Sequence, residues 1–397
     1  MDQEPPGFVN PDGQMGVRIS TLQHIEVRQI VPDSGDRASA LPHIGEICGQ
    51  YFQKVFGLLG VLKRLTVSDK TLVPVDYNHS KEQVFRDATC AILRETNWLG
   101  YLSLISSEST KRSPGLPSWV LGLDEGIVSC ISYRRDFSAP GPRLSCVEHP
   151  APDLTFHDNI LGVHGVRIAR IDGRSEPLED VEAFVVDFEE GAKLFLGQPR
   201  IYQYTNEPLI EVFWRTLIVN RTLDIPVEQW RHSFKSWWIS YLCSRTNLSY
   251  NTGTPVRECL KTIPNARRLA EQDDTGTIAN HQAILDICEA DIAENPALEI
   301  VARERLLFGH NVVDWVTRRC LFRTSEGYYG LGPNSLTIGD EVWIMPRSHV
   351  PPIPRKSPTG APLGRYSFIG ESYVHGIMHG ECFKGKNSAE WEAIELE

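Results

Sequence analysis

Apolar positions fall into helical and strand-like stretches that alternate along the chain. Between residues 80 and 97, Val84, Phe85, Ala88, Ala91 and Ile92 recur at three- and four-residue spacing. Ser80 and Gln83 stand where a capping box would start a helix, and Asn97 where one would stop. Over 226–242 a second helix is predicted. Pro226 takes its favoured first position, and Val227, Trp230, Phe234, Trp237, Trp238 and Tyr241 recur at helical spacing. A weaker stripe over 297–319 contains Leu298, Val301, Leu306, Val312, Val313 and Val316. The stretch 125–200 reads as β. Residues 160–171 alternate with period two, and interrupting glycines there predict a bulge or bend. After residue 319 short apolar runs lie between nine glycines from Gly327 to Gly380, the pattern of a small, strongly bent barrel.

Other stretches are less regular. Residues 1–50 are rich in turn chemistry, with a short strand-like alternation at His24–Val27. The apolar run Val55–Leu62 fits either two buried helical turns or a strand. A polar 106–118 linker delivers Leu116-Pro117-Ser118-Trp119, predicted extended because a residue before proline avoids the α region. The expected fold class is α+β. An irregular segment (1–50) precedes a mixed helical and β body (51–318), and a small barrel-like domain (319–397) packs on that body.

Composition narrows the function classes. Of 397 residues 41% are hydrophobic and 23% charged, which suits a folded chain with a sizeable core. Forty Lys and Arg against 51 Asp and Glu give a net charge of −11, which argues against a nucleic-acid partner. No apolar stretch spans a bilayer and the start does not read as a signal peptide, so a cytoplasmic protein with no membrane insertion is expected. Nine cysteines at irregular spacing, without a CxxC pair, read as reduced thiols. Loops of the GxSxG, GxGxxG and Walker types are missing, so no cofactor is expected.

Several blocks resemble the fungal heterokaryon-incompatibility (HET) domain proteins in one consistent order. They are Val55-Phe56-Gly57-Leu58-Leu59-Gly60, Val75-Asp76-Tyr77, Leu116-Pro117-Ser118-Trp119-Val120 and Phe213-Trp214-Arg215-Thr216-Leu217. The most specific follow: Arg319–Thr324, Gly327–Pro333, Gly339-Asp340 and Gly370–Glu381. The resemblance covers roughly 55–381 and falls on the region that accompanies the HET core. The core itself, which the resemblance ties to incompatibility and cell death, has no counterpart in residues 1–50.

Chemistry-bearing side chains cluster in two places. His375 and His379 with Glu371 and Glu381 form the densest titratable group. In a strand these positions share a face, but Gly376 and Gly380 break the register, so a structural network is expected rather than a metal site. The aromatic stripe of 226–242, with Trp214 and Trp315, reads first as core. As an alternative it walls a cavity for an apolar ligand. The glycine loop with Tyr328 and Tyr329 reads as a hairpin with one ring turned inward.

Two functions follow from the resemblance. Short HET-like chains look like members of fungal natural-product gene clusters, which implies a cofactor-independent cyclase of the Diels–Alder type acting on a terpenoid or polyketide intermediate. Its partner is then an apolar small-molecule substrate. Tyr328, Tyr373, His375 and Arg365 are the expected catalytic donors, and Trp214, Trp237, Trp238 and Tyr329 the expected substrate walls, with no metal. The alternative is a non-enzymatic interaction or regulatory protein of fungal incompatibility or innate immunity.

Overall fold

In the computed structural model the described residues are 79–105, 112–113, 115–122, 130–132, 137–141, 152–178, 180–182, 185–222, 224–252, 261, 263–278, 303–358, 364–384 and 390–397. The irregular segment 1–50, with its strand-like His24–Val27, and the apolar run after Val55 lie outside them. The chain divides into two units, Met1–Val84 and Phe85–Glu397. Of the first, the described part is the capped start of helix α1 (Lys81–Thr96). The predicted capping box is present: the Ser80 amide donates to Gln83 Oε1 at 2.9 Å, and the Gln83 amide donates to Ser80 Oγ at 3.3 Å.

Within the second unit a 3-10 turn (Leu99–Leu104) follows α1. Leu116–Trp119, expected extended, instead bends, because the Val120 amide donates back to the Pro117 carbonyl at 3.0 Å. Strand β1 (Thr155–His157) pairs with the 15-residue β2 (Ile160–Arg174), and β3 (Asp180–Glu182) pairs with β4 (Val185–Val186). The β reading of 125–200 then fails at α2 (Glu189–Lys193). There Asp187 accepts the Glu189 amide at 3.1 Å, and two glutamates occupy the first turn, where carboxylates favour a helix start.

Helices α3 (Leu209–Leu217), α4 (Val227–Thr252), α5 (Pro264–Gln272) and α6 (Leu306–Val316) follow. The helix expected over 297–319 stops at Val316 because Arg318 takes a left-handed conformation (φ 61°) that turns the chain into a strand. That strand is β5 (Arg319–Thr324), after which come β6 (Tyr329–Pro333), β7 (Glu341–Ile344), β8 (Pro352–Lys356), β9 (Arg365–Glu371), β10 (Tyr373–Val374) and β11 (Glu392–Leu396). The α+β class is as expected.

The sheet runs β10-β6-β5-β2-β11-β9-β8, with β1 and β7 also on β2. It does not close on itself among the described residues, so the expected barrel is an open sheet there. It also reaches N-terminal of residue 319, since β2 pairs with β5, β7 and β11. The β2 irregularities fall at Arg167/Ala169 and Ile171/Gly173 rather than at Gly162 or Gly165. Gly165 serves close approach: a Cβ there would meet the Ile344 carbonyl at 3.0 Å and the Met345 and Trp343 side chains at 3.1 Å. One side of β5 and β6 contributes Leu321 and Leu331 to the helical core, while Cys320 and Phe322 fill the sheet's own interior with Ile171, Val342 and Val374.

Candidate functional site

The polar centre of the molecule is assembled from two distant stretches, 200–217 and the turn after β10. Residues 200–209 form a hairpin: the Leu209 amide donates to the Arg200 carbonyl at 2.7 Å, and the Tyr202 amide to the Glu207 carbonyl at 2.8 Å. Asn206 supplies the left-handed residue its turn requires (φ 60°). The hairpin leads into α3, which carries Glu211 and Arg215. Opposite lies His375, just past β10, where Gly376 (φ 89°) turns the chain out of the sheet.

Tyr373 Oη lies 2.7 Å from His375 Nδ1, and His375 Nε2 lies 2.8 Å from Glu207 Oε2. With His375 neutral, Tyr373 donates to Nδ1 and the Nε2–H donates to Glu207. Thr205 Oγ1 donates to the same carboxylate oxygen at 2.5 Å, and Arg215 Nε stands 3.3 Å from the other. Arg215 also faces Glu211 at 3.5 Å, and Glu211 accepts from Arg231 at 2.6 Å. Burial opposes the charge on Glu207. Hydrogen bonds from His375 and Thr205, together with the charge of Arg215, outweigh it and hold the carboxyl at about 2. Tyr202 Oη donates to the His375 carbonyl at 2.9 Å, fixing the turn itself.

The titratable group expected around His375 is divided among separate partners. Glu371 is buried and belongs to another network, in which it pairs with Arg319 at 2.8 Å and accepts the amides of Ile131 and Ser132 at 2.5 and 2.9 Å. The His379 ring lies 5.6 Å from Phe137, and its amide donates to Glu381. Among the described residues no three His, Cys, Asp or Glu side chains come together as a ligand set. The dispersal has the cause anticipated above, since 375–380 is a series of turns rather than a strand.

The aromatic residues form a contiguous core. Trp214, Trp230, Phe234, Trp237 and Trp238 are fully buried. Trp237 and Trp238 both pack on Phe188, with ring centroids 5.3 and 4.8 Å away, because α4 is enclosed on more than one side at this level. Trp237 also lies 5.0 Å from Phe308, and Phe188 lies 4.1 Å from Tyr241. The indole N–H groups of Trp214 and Trp238 are buried without a hydrogen-bond partner among the described residues.

The tyrosine loop is the expected hairpin, between β5 and β6, with Tyr329 turned inward and stacked on Phe195 at 4.2 Å. Burial raises the Tyr329 phenol to about 12 and pushes Tyr328 up as well. Tyr328 is stacked face to face on Tyr204 at 3.9 Å and is partly buried against the edge of the core. Arg365 is engaged elsewhere, by Glu395 at 3.2 Å and Glu397 at 3.9 Å. The structure thus joins Tyr373 and His375 directly, leaves Arg365 out, and puts Trp214, Trp237 and Trp238 into the core.

Glu207, Arg215, Tyr202 and Tyr204 were not singled out from sequence. They lie more than a hundred residues from His375, and no local pattern links the two stretches.

Residues 297–391 match the family described as the Het-6 beta-barrel domain. Over 359 residues the chain is 26% identical to heterokaryon incompatibility protein 6, OR allele, of Neurospora crassa, covering 83% of this chain and 48% of that protein. The chain spans about half the length of this curated relative. No solved structure matches it.

Proposed function

We propose, from the premise that this is a fungal heterokaryon-incompatibility-like protein, that it acts by binding another protein in incompatibility or a related self-recognition response, rather than by converting a substrate. The observation that carries this reading is the closure of the polar centre on itself. Tyr373, His375 and Glu207 are hydrogen-bonded in series, and Arg215 is ion-paired to Glu207 and Glu211, so the groups best suited to acid–base work are engaged in holding the hairpin and α3 to the sheet. The aromatic residues lend the same support, being packed ring on ring as a core. The name of the Neurospora crassa relative agrees in kind.

One observation favours the competing reading of a cofactor-independent cyclase acting on a terpenoid or polyketide intermediate. The buried indole N–H groups of Trp214 and Trp238 are donors for which an oxygen-bearing ligand would supply an acceptor. The two readings part in one experiment. Strains lacking the gene are fused with a panel of tester strains, and their metabolites are extracted in parallel. Recognition predicts that the set of surviving fusions changes while the metabolite profile stays the same. Unchanged fusions, together with an accumulating metabolite that the purified protein converts, would overturn it in favour of the cyclase.

A further inference from the structure

Five tyrosines converge where the 200–209 hairpin meets the sheet. Tyr204 is 40% exposed and stacks on Tyr328 at 3.9 Å with 13° between ring planes. Its centroid is 5.4 Å from Tyr202, which is 5.9 Å from Tyr329 and 5.7 Å from the His375 ring. His375 lies 6.1 Å from Tyr373, centroid to centroid. Ring contacts therefore run without interruption from a solvent-exposed phenol to one that is 1% exposed.

These phenols differ in what their hydroxyls meet. Tyr202 donates to the His375 carbonyl at 2.9 Å and Tyr204 to the Glu326 carbonyl at 2.7 Å. A backbone carbonyl accepts a hydrogen bond but does not take up a proton at ordinary pH. The Tyr328 hydroxyl meets the Cys382 thiol, which is no stronger a base. Tyr373 alone of these four faces an imidazole, at 2.7 Å. That imidazole is backed on its far nitrogen by Glu207, so a second proton on the ring would be met by a carboxylate 2.8 Å away.

A phenol that loses an electron becomes a strong acid and must release its proton at once, so the neutral radical forms most readily where a base is already hydrogen-bonded. Burial then shields the radical from solvent and from coupling with a second one. We infer that Tyr373 is a redox-active tyrosine, oxidised by diffusible one-electron oxidants that meet the protein at Tyr204. In the step the oxidant gains one electron, passed outward from Tyr373 along His375, Tyr202 and Tyr204. The Tyr373 O–H bond breaks, its proton moves to His375 Nδ1, and the products are a neutral phenoxyl radical and an imidazolium paired with Glu207. An external thiol returns the electron and the proton goes back from Nδ1 to the phenol oxygen, leaving a thiyl radical in solution and the thiol's own proton released to water. The inference is independent of the recognition reading.

The test uses the full chain and a photogenerated ruthenium(III) tris-bipyridine oxidant, with rapid freezing and electron paramagnetic resonance. A tyrosyl signal that outlasts that of free tyrosine is expected, forming more slowly in deuterated water because a proton moves with the electron. Protein grown with isotope-labelled histidine is expected to show a nitrogen coupling on that signal, a readout that needs no mutation. Tyr373→Phe is expected to abolish the long-lived component and leave only a short-lived one from exposed rings. Tyr204→Phe is expected to slow its appearance while leaving its lineshape unchanged. Persistence of the long-lived signal in Tyr373→Phe, or absence of the histidine coupling in the unmutated protein, would overturn the assignment.

Discussion

The helical core around Trp238 and the joint around His375 are both rich in aromatic rings, yet they hold together by different physics. In the core, Trp237, Trp238, Phe188 and Phe308 touch one another almost without regard to orientation, and stabilisation scales with the area taken out of water. At the joint, Tyr202, Tyr373 and Glu207 matter through single directed hydrogen bonds to His375. The first arrangement tolerates a shift of a few tenths of an ångström and depends on volume. The second is the reverse: a volume-conserving change that removes one acceptor disables it. This difference predicts which substitutions hurt most, and where isosteric ones are harmless.

The largest effect is expected in the core. Trp238→Ala deletes a fully buried ring between Phe188 and Phe213 and should cost about 3–5 kcal/mol of folding stability, read as a lowered denaturation midpoint. Trp238→Phe should restore much of the loss, because what is needed there is mostly volume. Equal damage from both would mean that the indole N–H is engaged after all, and the contrast with the joint would be weakened.

Next in size is the buried pair Arg319–Glu371, whose side chains are 7% and 4% exposed. Glu371→Gln keeps the shape but strands the Arg319 charge and weakens the acceptor for the Ile131 and Ser132 amides. A loss of about 3 kcal/mol is expected, larger than its volume change would suggest. The double variant Arg319→Met, Glu371→Leu should recover part of it, since neither charge is then left unpaired. If the single change is harmless, polar directionality does not govern this side of the sheet.

How much of this was legible in the sequence follows from the same contrast. Burial at helical spacing leaves a periodic trace, so α4 and its Trp and Phe positions were readable, as were α1 with its Ser80–Gln83 box and the β5–β6 hairpin. The alternation of 160–171 predicted β2, but not that it would run through the middle of the C-terminal sheet, because strand pairing across more than 150 residues leaves no local mark. The joint was half legible. His375 and Tyr373 stood out by residue type, while Glu207 carried no local signal and Arg215 stood only as one member of the Phe213–Leu217 block, with nothing to mark either as a partner of His375. Glu371, placed in one group with His375, proved to turn the other way, and the sequence held no sign of Arg319 as its partner.

A smaller and pH-dependent effect should come from Glu207. Its carboxyl is held at about 2 in the folded chain against an ordinary 4.5, so its contribution to stability is complete above about 4.5. That contribution declines as the pH falls towards about 2, where the folded-state carboxylate takes up its proton. Glu207→Gln should lower stability by about 1–2 kcal/mol at neutral pH, the lower part of the range for a hydrogen bond to a charged group because the carboxyl is 30% exposed. The gap between variant and parent should close on acidification through that window, as followed by denaturant melts at successive pH values. A gap that stays constant down to the lower end would show that the amide fails for a reason other than charge.

The smallest effect sharpens the comparison most, because Tyr204 shares both kinds of physics. Its ring stacks on Tyr328 like a piece of core moved to the surface, and its hydroxyl donates to the Glu326 carbonyl at 2.7 Å like a member of the joint. At 40% exposure the hydroxyl has water as a ready substitute partner, so Tyr204→Phe should change stability by no more than about 0.5 kcal/mol. Tyr204→Ala also removes the stack and should cost about 0.5–1.5 kcal/mol. The order matters more than the size: ring loss must exceed hydroxyl loss here, whereas at Tyr373, where no solvent can replace His375, removing the hydroxyl alone should already be the costly step. Melting curves for Tyr204→Phe, Tyr204→Ala and Tyr373→Phe decide it. If Tyr204→Phe proves as damaging as Tyr373→Phe, burial is not what gives the hydrogen bonds of the joint their weight.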